Sequence, residues 1–143
     1  MADEYNLALM IAAALNALAA ALHFGTVLVG PVWYRLFGAG ERFARAAEAG
    51  RVFPALVTLA IALVLLIWAA YALAGAQVIG PLPLLRPALC AISLIYLLRG
   101  FAGPFMLAGT GRSHRFIVIS SAVCIGFGVV HGIGLVQMWG RLA

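Results

Sequence analysis

Four stretches of this chain stay apolar for the length of a bilayer, and only short loops separate them. They run over residues 5–29, 53–74, 84–107 and 116–139. About 20 apolar residues in a helix cross the hydrocarbon core of a membrane, and lipid offers the backbone no hydrogen-bond partner except itself. The expected fold is therefore all-α: a polytopic membrane protein, a four-transmembrane-helix bundle. With so little sequence outside the helices, residues 1–143 read as one domain. Composition excludes the soluble alternative. The chain is 66% hydrophobic, and its nine basic and four acidic side chains could not cover the exterior of a 143-residue soluble domain. The start, MADEYNLALM, carries Asp3 and Glu4 where a secretory leader is basic, and the apolar run after it is too long for a leader. It is expected to remain as a spanning helix.

The arginines orient the bundle. Arg35, Arg42, Arg45 and Arg51 fall in the first loop and Arg112 and Arg115 in the third, whereas Arg86, Arg141 and the acidic start lie on the other side. By the positive-inside rule the first and third loops face the cytoplasm and both termini face outward, which is periplasmic in a bacterial inner membrane. Trp33 and Tyr34 at one end and Trp139 near the other suit the two aromatic belts. All nine basic residues are arginine, the mark of a GC-rich genome, and they form no continuous stripe, so nucleic acid is not an expected partner. Cys90 and Cys124 lie inside apolar runs without metal-ligand or C-x-x-C spacing and read as packing residues; no metal site is expected.

Small residues hint at helix contacts. Ala13, Ala17, Ala21 and Gly25 recur every four residues on the first helix, and Gly128 and Gly132 form a small-xxx-small pair on the fourth. Such spacing lets backbones approach, with a partner in this chain or in another. In the first loop Glu41 precedes Arg45 by four residues, the favourable order for a helical ion pair, while Phe43, Ala46, Ala47 and Gly50 make a weakly apolar face. This is either a short amphipathic cytoplasmic segment, holding Arg42, Arg45 and Arg51 near anionic headgroups, or a solvated extension of the second helix.

Polar groups at membrane depth are functional candidates by default. Asn16 and His23 share a face of the first helix. Ser93, Tyr96, Gly100 and Gly103 form a stripe on the third with Arg99 beside it, and Ser120, Cys124, Phe127 and His131 line the fourth. At about 1.5 Å per residue, His23 and Arg99 lie roughly 9 Å and 5 Å to the cytoplasmic side of their helix midpoints and can share a layer, whereas His131 falls about 5 Å to the outer side. The separation of about 14 Å between His23 and His131 excludes a haem held between them. That leaves His131 to hydrogen-bond a neighbouring helix. The candidate ligand-binding set is Arg99, His23, Tyr96 and Asn16. Arg99 either snorkels to the cytoplasmic interface or faces inward, where no acidic residue sits at its depth and its charge would attract an anion or a polar headgroup. Pro104 leaves the carbonyl of Gly100 without its helical partner, so GFAGP marks a kink or a helix end.

Several chemistries have no residues to carry them. There is no Ser-His-acid set, carboxylate pair, H-E-x-x-H or glycine-rich phosphate loop, and no Asp or Glu inside the membrane for a proton relay. No catalytic residue is assigned.

The stretch GERFARAAEAGRVFP, residues 40–54, resembles a segment of the membrane-associated proteins in eicosanoid and glutathione metabolism (MAPEG). Glu41, Arg42, Arg45, Ala46 and Pro54 match that family's E-R-x-x-R-A pattern and later proline, and Tyr96 with Arg99 resembles its tyrosine and arginine in the third helix. The family's intervening asparagine is missing, and Glu48 comes earlier than its glutamate. The resemblance implies a trimer binding glutathione between subunits at the cytoplasmic side, with arginines gripping the carboxylates. Over its whole length the chain resembles the small four-helix inner-membrane proteins of bacteria, a likeness that transfers no active site. The sequence thus favours a non-catalytic role: an accessory subunit of a larger membrane complex, or a small-ligand-binding bundle that self-associates among membrane lipids. A MAPEG-like glutathione-dependent transferase and a transporter for a small anion or lipid are the alternatives.

Overall fold

The structure is a computed structural model and describes residues 5–142. Asp3 and Glu4, the acidic residues of the start, lie outside the described residues. Among those described there are six helices and no strand: α1 (Leu7–Val29), α2 (Pro31–Leu36), α3 (Glu41–Glu48), α4 (Phe53–Gly75), α5 (Leu85–Met106) and α6 (His114–Met138). α1, α4, α5 and α6 are each long and apolar enough to cross a membrane. At 1.5 Å per residue the 23 residues of α1 reach about 34 Å, enough for the hydrocarbon core. The chain is a multi-pass helical membrane protein.

Two helix starts are set by side-chain caps. Asn6 Oδ1 accepts from the backbone N–H of Leu9 at 2.9 Å, and Ser113 Oγ accepts from Phe116 at 3.2 Å, so α6 begins two residues earlier than its apolar run. α5 continues through Pro104 and stops at Met106, which makes GFAGP the last turns of a helix. α2 was not expected from the sequence. Gly30 ends α1, and Pro31, with no N–H to lose, starts a new short helix at once.

The first loop contains a true helix rather than an extension of α4. At its end Gly50 adopts φ +68, its N–H bonds to Ala47 O at 3.0 Å and that of Arg51 to Ala46 O at 2.9 Å. This left-handed termination closes α3 before α4 begins. Ala44, rather than the expected Gly50, is the fully buried residue of α3; Gly50 is at the surface because it turns the chain. Rings of Tyr34, Phe43 and Phe53 stack in sequence at 6.2 and 5.8 Å between centroids and hold α3 to the start of α4.

Glu41 ties this region together. It accepts from Arg35 Nε and Nη2, both at 3.0 Å, and from Arg45 Nε at 3.2 Å, while Arg35 also pairs with Glu48 at 2.8 Å. Arg35 and then Arg45 hold the Glu41 carboxyl down to about 2, and Arg35 lowers that of Glu48. Since these carboxyls titrate lower when folded, the network's contribution is complete above the ordinary value of 4.5 and fades as pH falls toward about 2. The expected result is a Glu41 carboxyl ¹³C titration with its midpoint near 2; a midpoint at 4.5 would mean that the ion pairs do not form. Across the same end of the molecule Arg112 donates to the carbonyls of Gly38 (3.0 Å) and Ala39 (3.2 Å), fastening the α5–α6 loop to the α2–α3 loop.

The spanning helices form a ring in the order α1, α4, α5, α6. α1 packs along α4 and α5 along α6; α1 against α6 is the main seam between the pairs, and α4 against α5 a slighter one. Small residues occupy the interior: Ala12, Ala20, Ala62 and Ala72 are essentially inaccessible, while Leu18, Leu28, Leu63 and Phe101 point outward. A lipid-solvated bundle is built this way, because apolar side chains gain nothing by leaving hydrocarbon and close backbone approach drives packing. Of the expected small-residue patterns, Gly128 and Gly132 do lie against α5. Ala13 is buried, but Ala17 and Ala21 face outward, since the inward stripe of α1 runs through Leu9, Ala12, Asn16 and Ala20.

Candidate functional site

All four spanning helices contribute to one layer around Tyr96. Its ring packs against Trp68 of α4 at 4.9 Å, Phe127 of α6 at 5.3 Å and His131 of α6 at 5.4 Å between centroids. Its hydroxyl crosses the bundle and donates to Asn16 Oδ1 of α1. Asn16 then donates from Nδ2 to His131 Nε2 at 3.0 Å and to the carbonyl of Ala12, in its own helix, at 3.0 Å.

This network fixes its own protons. His131 Nδ1 lies 2.8 Å from the carbonyl of Phe127, which can only accept, so Nδ1 carries the hydrogen. Nε2 is then the bare nitrogen, and accepts from the Asn16 amide. Both amide hydrogens of Asn16, its oxygen and both ring nitrogens of His131 are engaged, and every group is neutral. Asn16 and His131 are fully buried, where an unpaired polar atom would be costly. This layer binds helices to one another, and both ring nitrogens of His131 are already engaged in it. The sequence placed Asn16, Tyr96 and His131 on separate inward faces, and the structure joins them. His23 goes elsewhere. Its Nδ1 bonds to the carbonyl of Ala19 at 2.7 Å in its own helix, and it makes no hydrogen bond to Asn16, Tyr96 or Arg99.

Arg99 occupies the neighbouring layer, one turn closer to the α3 end. Its side chain runs along α5 toward that end, the direction of snorkelling, but its terminal Nη1 finishes buried over the Cα of Gly103. Ser121 Oγ of α6 borders the same point; a Cβ at Gly103 would collide with both. Neither atom has a hydrogen-bond partner, and Ser121 is 4% exposed. A guanidinium donor and a hydroxyl therefore converge, unpaired, where glycine leaves room. No carboxylate is within the span, and both acids of α3 are engaged by Arg35. Such a donor pair matches an oxygen of an anion. The spacing of Arg99 to Gly103 was legible as one helical turn, and helix depth places Ser121 on the same side as Arg99; their meeting was not legible, since nothing in a single sequence tells which face of α6 meets α5.

Near the α3 end Thr58 is also buried, donating to the carbonyl of Pro54 at 2.7 Å and lying 3.3 Å from the Tyr34 hydroxyl. On the outer face of α3, a cleft of about 690 Å³ is bounded by Arg42, Arg45 and Arg51 with Phe43 and Phe53. These three arginines are those the sequence assigned to the membrane interface. Fold and site together define a membrane-spanning helical bundle with a sealed neutral layer at its middle and unpaired cationic groups toward one end. No protein-family model matches the chain, and no curated protein or solved structure shows significant similarity to it.

Proposed function

We propose that this protein is a non-catalytic ligand-binding bundle of a bacterial inner membrane, and that Arg99 and Ser121 receive a small anion or an anionic headgroup between α5 and α6. The observation that carries the reading is the pair of buried, unpartnered donors meeting over Gly103. A guanidinium nitrogen buried without an acceptor is costly, and an incoming anion supplies one. The excess of arginines at the α3 end supports a cytoplasmic position for that end, with both chain termini periplasmic. The outward Ala17 and Ala21 of α1 support association with a second copy or a larger membrane subunit.

The test is native mass spectrometry of the protein released from its own membrane in mild detergent. A small anionic ligand is expected to stay bound to the intact protein. Arg99→Leu is expected to weaken its retention roughly 10- to 100-fold, the weight of a charge-assisted hydrogen bond, and Ser121→Ala by a smaller factor. Undiminished retention in Arg99→Leu would rule out the guanidinium as the anion's partner.

A further inference from the structure

The cleft beside α3 has a charge balance and a position that select one kind of occupant. Glu41 borders it, but that carboxylate already accepts from Arg35 and Arg45, and Glu48 is held by Arg35. These two arginines and two glutamates cancel. Arg42 and Arg51 also line the cleft and have no acidic partner among the described residues, so two positive charges remain directed at it. The first turn of α4 forms one wall, and Val52 at its cap offers no side-chain acceptor, which leaves the positive end of that helix uncompensated.

The rest of the cleft's lining is apolar, and Phe53 in it belongs to an exposed face of α4. Phe43 and Phe53 form its other lining, and Phe53 is 63% exposed. One turn further into the membrane Leu56 is 60% exposed. A cationic pocket at a helix end therefore opens directly onto a hydrocarbon-facing track. A free phosphate would use only the first part, and a hydrocarbon only the second. The volume of about 690 Å³ falls within the range of small-molecule sites.

We propose that this cleft binds an anionic glycerophospholipid of the surrounding leaflet, its phosphate drawn to Arg42 and Arg51 and its acyl chains lying along Phe53 and Leu56. The site is separate from Arg99 and does not depend on the function proposed for that residue. Its net charge of two favours a headgroup of net negative charge over a zwitterionic one.

The full-length protein in mild detergent, doped with dioleoylphosphatidylglycerol or dioleoylphosphatidylcholine, provides the test by native mass spectrometry. One phosphatidylglycerol is expected to be retained in preference to phosphatidylcholine. Arg42→Gln with Arg51→Gln should reduce that retention roughly 30-fold, while Arg42→Lys with Arg51→Lys should preserve most of it, which also shows that the fold tolerates change at these exposed positions. Arg141→Gln, at the opposite end, should leave it unchanged. Equal retention of the two lipids, or equal loss in Arg141→Gln, would overturn the proposal. Displacement of the lipid by inorganic phosphate or by glutathione would overturn it as well, since either would show a site for a soluble anion.

Discussion

Asn16→Leu is expected to destabilise the bundle by about 1–3 kcal/mol, measured by unfolding in mixed micelles. The leucine keeps the branching of asparagine but strands the Tyr96 hydroxyl and His131 Nε2, both of which Asn16 satisfies. Tyr96→Phe removes a single donor and should cost less, about 1 kcal/mol. A double-mutant cycle between Asn16 and His131 isolates their bond, and a coupling of about 0.6 kcal/mol is the ordinary value for such pairs inside membranes. Zero coupling would mean that the two side chains do not meet. Because the network is neutral throughout, neither variant should introduce a new charge at the centre of the membrane.

The seam between α5 and α6 should be equally sensitive. A Cβ on Gly128 would stand 2.7 and 2.8 Å from the side chain of Leu97 and 3.1 Å from its backbone nitrogen, and Ser93 Oγ donates to the Gly128 carbonyl at 2.9 Å. The neighbouring backbone cannot yield as a side chain can. Gly128→Ala is expected to cost about 1–3 kcal/mol through overpacking, and Gly128→Leu to prevent the pair from closing. Gly126 lies two residues away on the same helix, and a methyl group added there would meet nothing within 4 Å, so Gly126→Ala should stay within about 0.5 kcal/mol of the parent. Equal effects at the two glycines would mean that α5 and α6 do not pack at Gly128.

The spans were legible because length and hydropathy are properties of a segment taken alone. Gly128 and Gly132 were legible for the same reason, as a local spacing. What could not be read was pairing between distant segments. Asn16 and His131 are 115 residues apart, and depth counting excluded a His23–His131 axis without showing that Asn16 was the partner of His131. Asn16 and His23 share a helical face by spacing, yet Asn16 reaches across the bundle while His23 turns back to Ala19. The direction of a side chain at the end of a face depends on what the neighbouring helix offers there. Arg99 combined the two orientations weighed for it: it leans toward the helix end, and its tip is still buried by Gly103 and Ser121. α2 escaped notice because Gly30 and Pro31 read as a loop, although proline is well suited to open a helix.

The helices that pack most extensively, α1 with α4 and α5 with α6, are also successive spans in the chain. Each half can therefore pair as soon as it enters the membrane, before the other half has been synthesised. When the two hairpins then dock, hydrocarbon on either side gives them little reason to stop at one height rather than another. The Asn16–Tyr96–His131 layer supplies that reason. Sliding one hairpin by a single turn, about 5.4 Å, would break both bonds across the seam and leave the Tyr96 hydroxyl and His131 Nε2 without partners in oil. The sealed centre of this bundle thus acts as a vernier, setting from within the membrane the same vertical register that Arg112 fastens at one end.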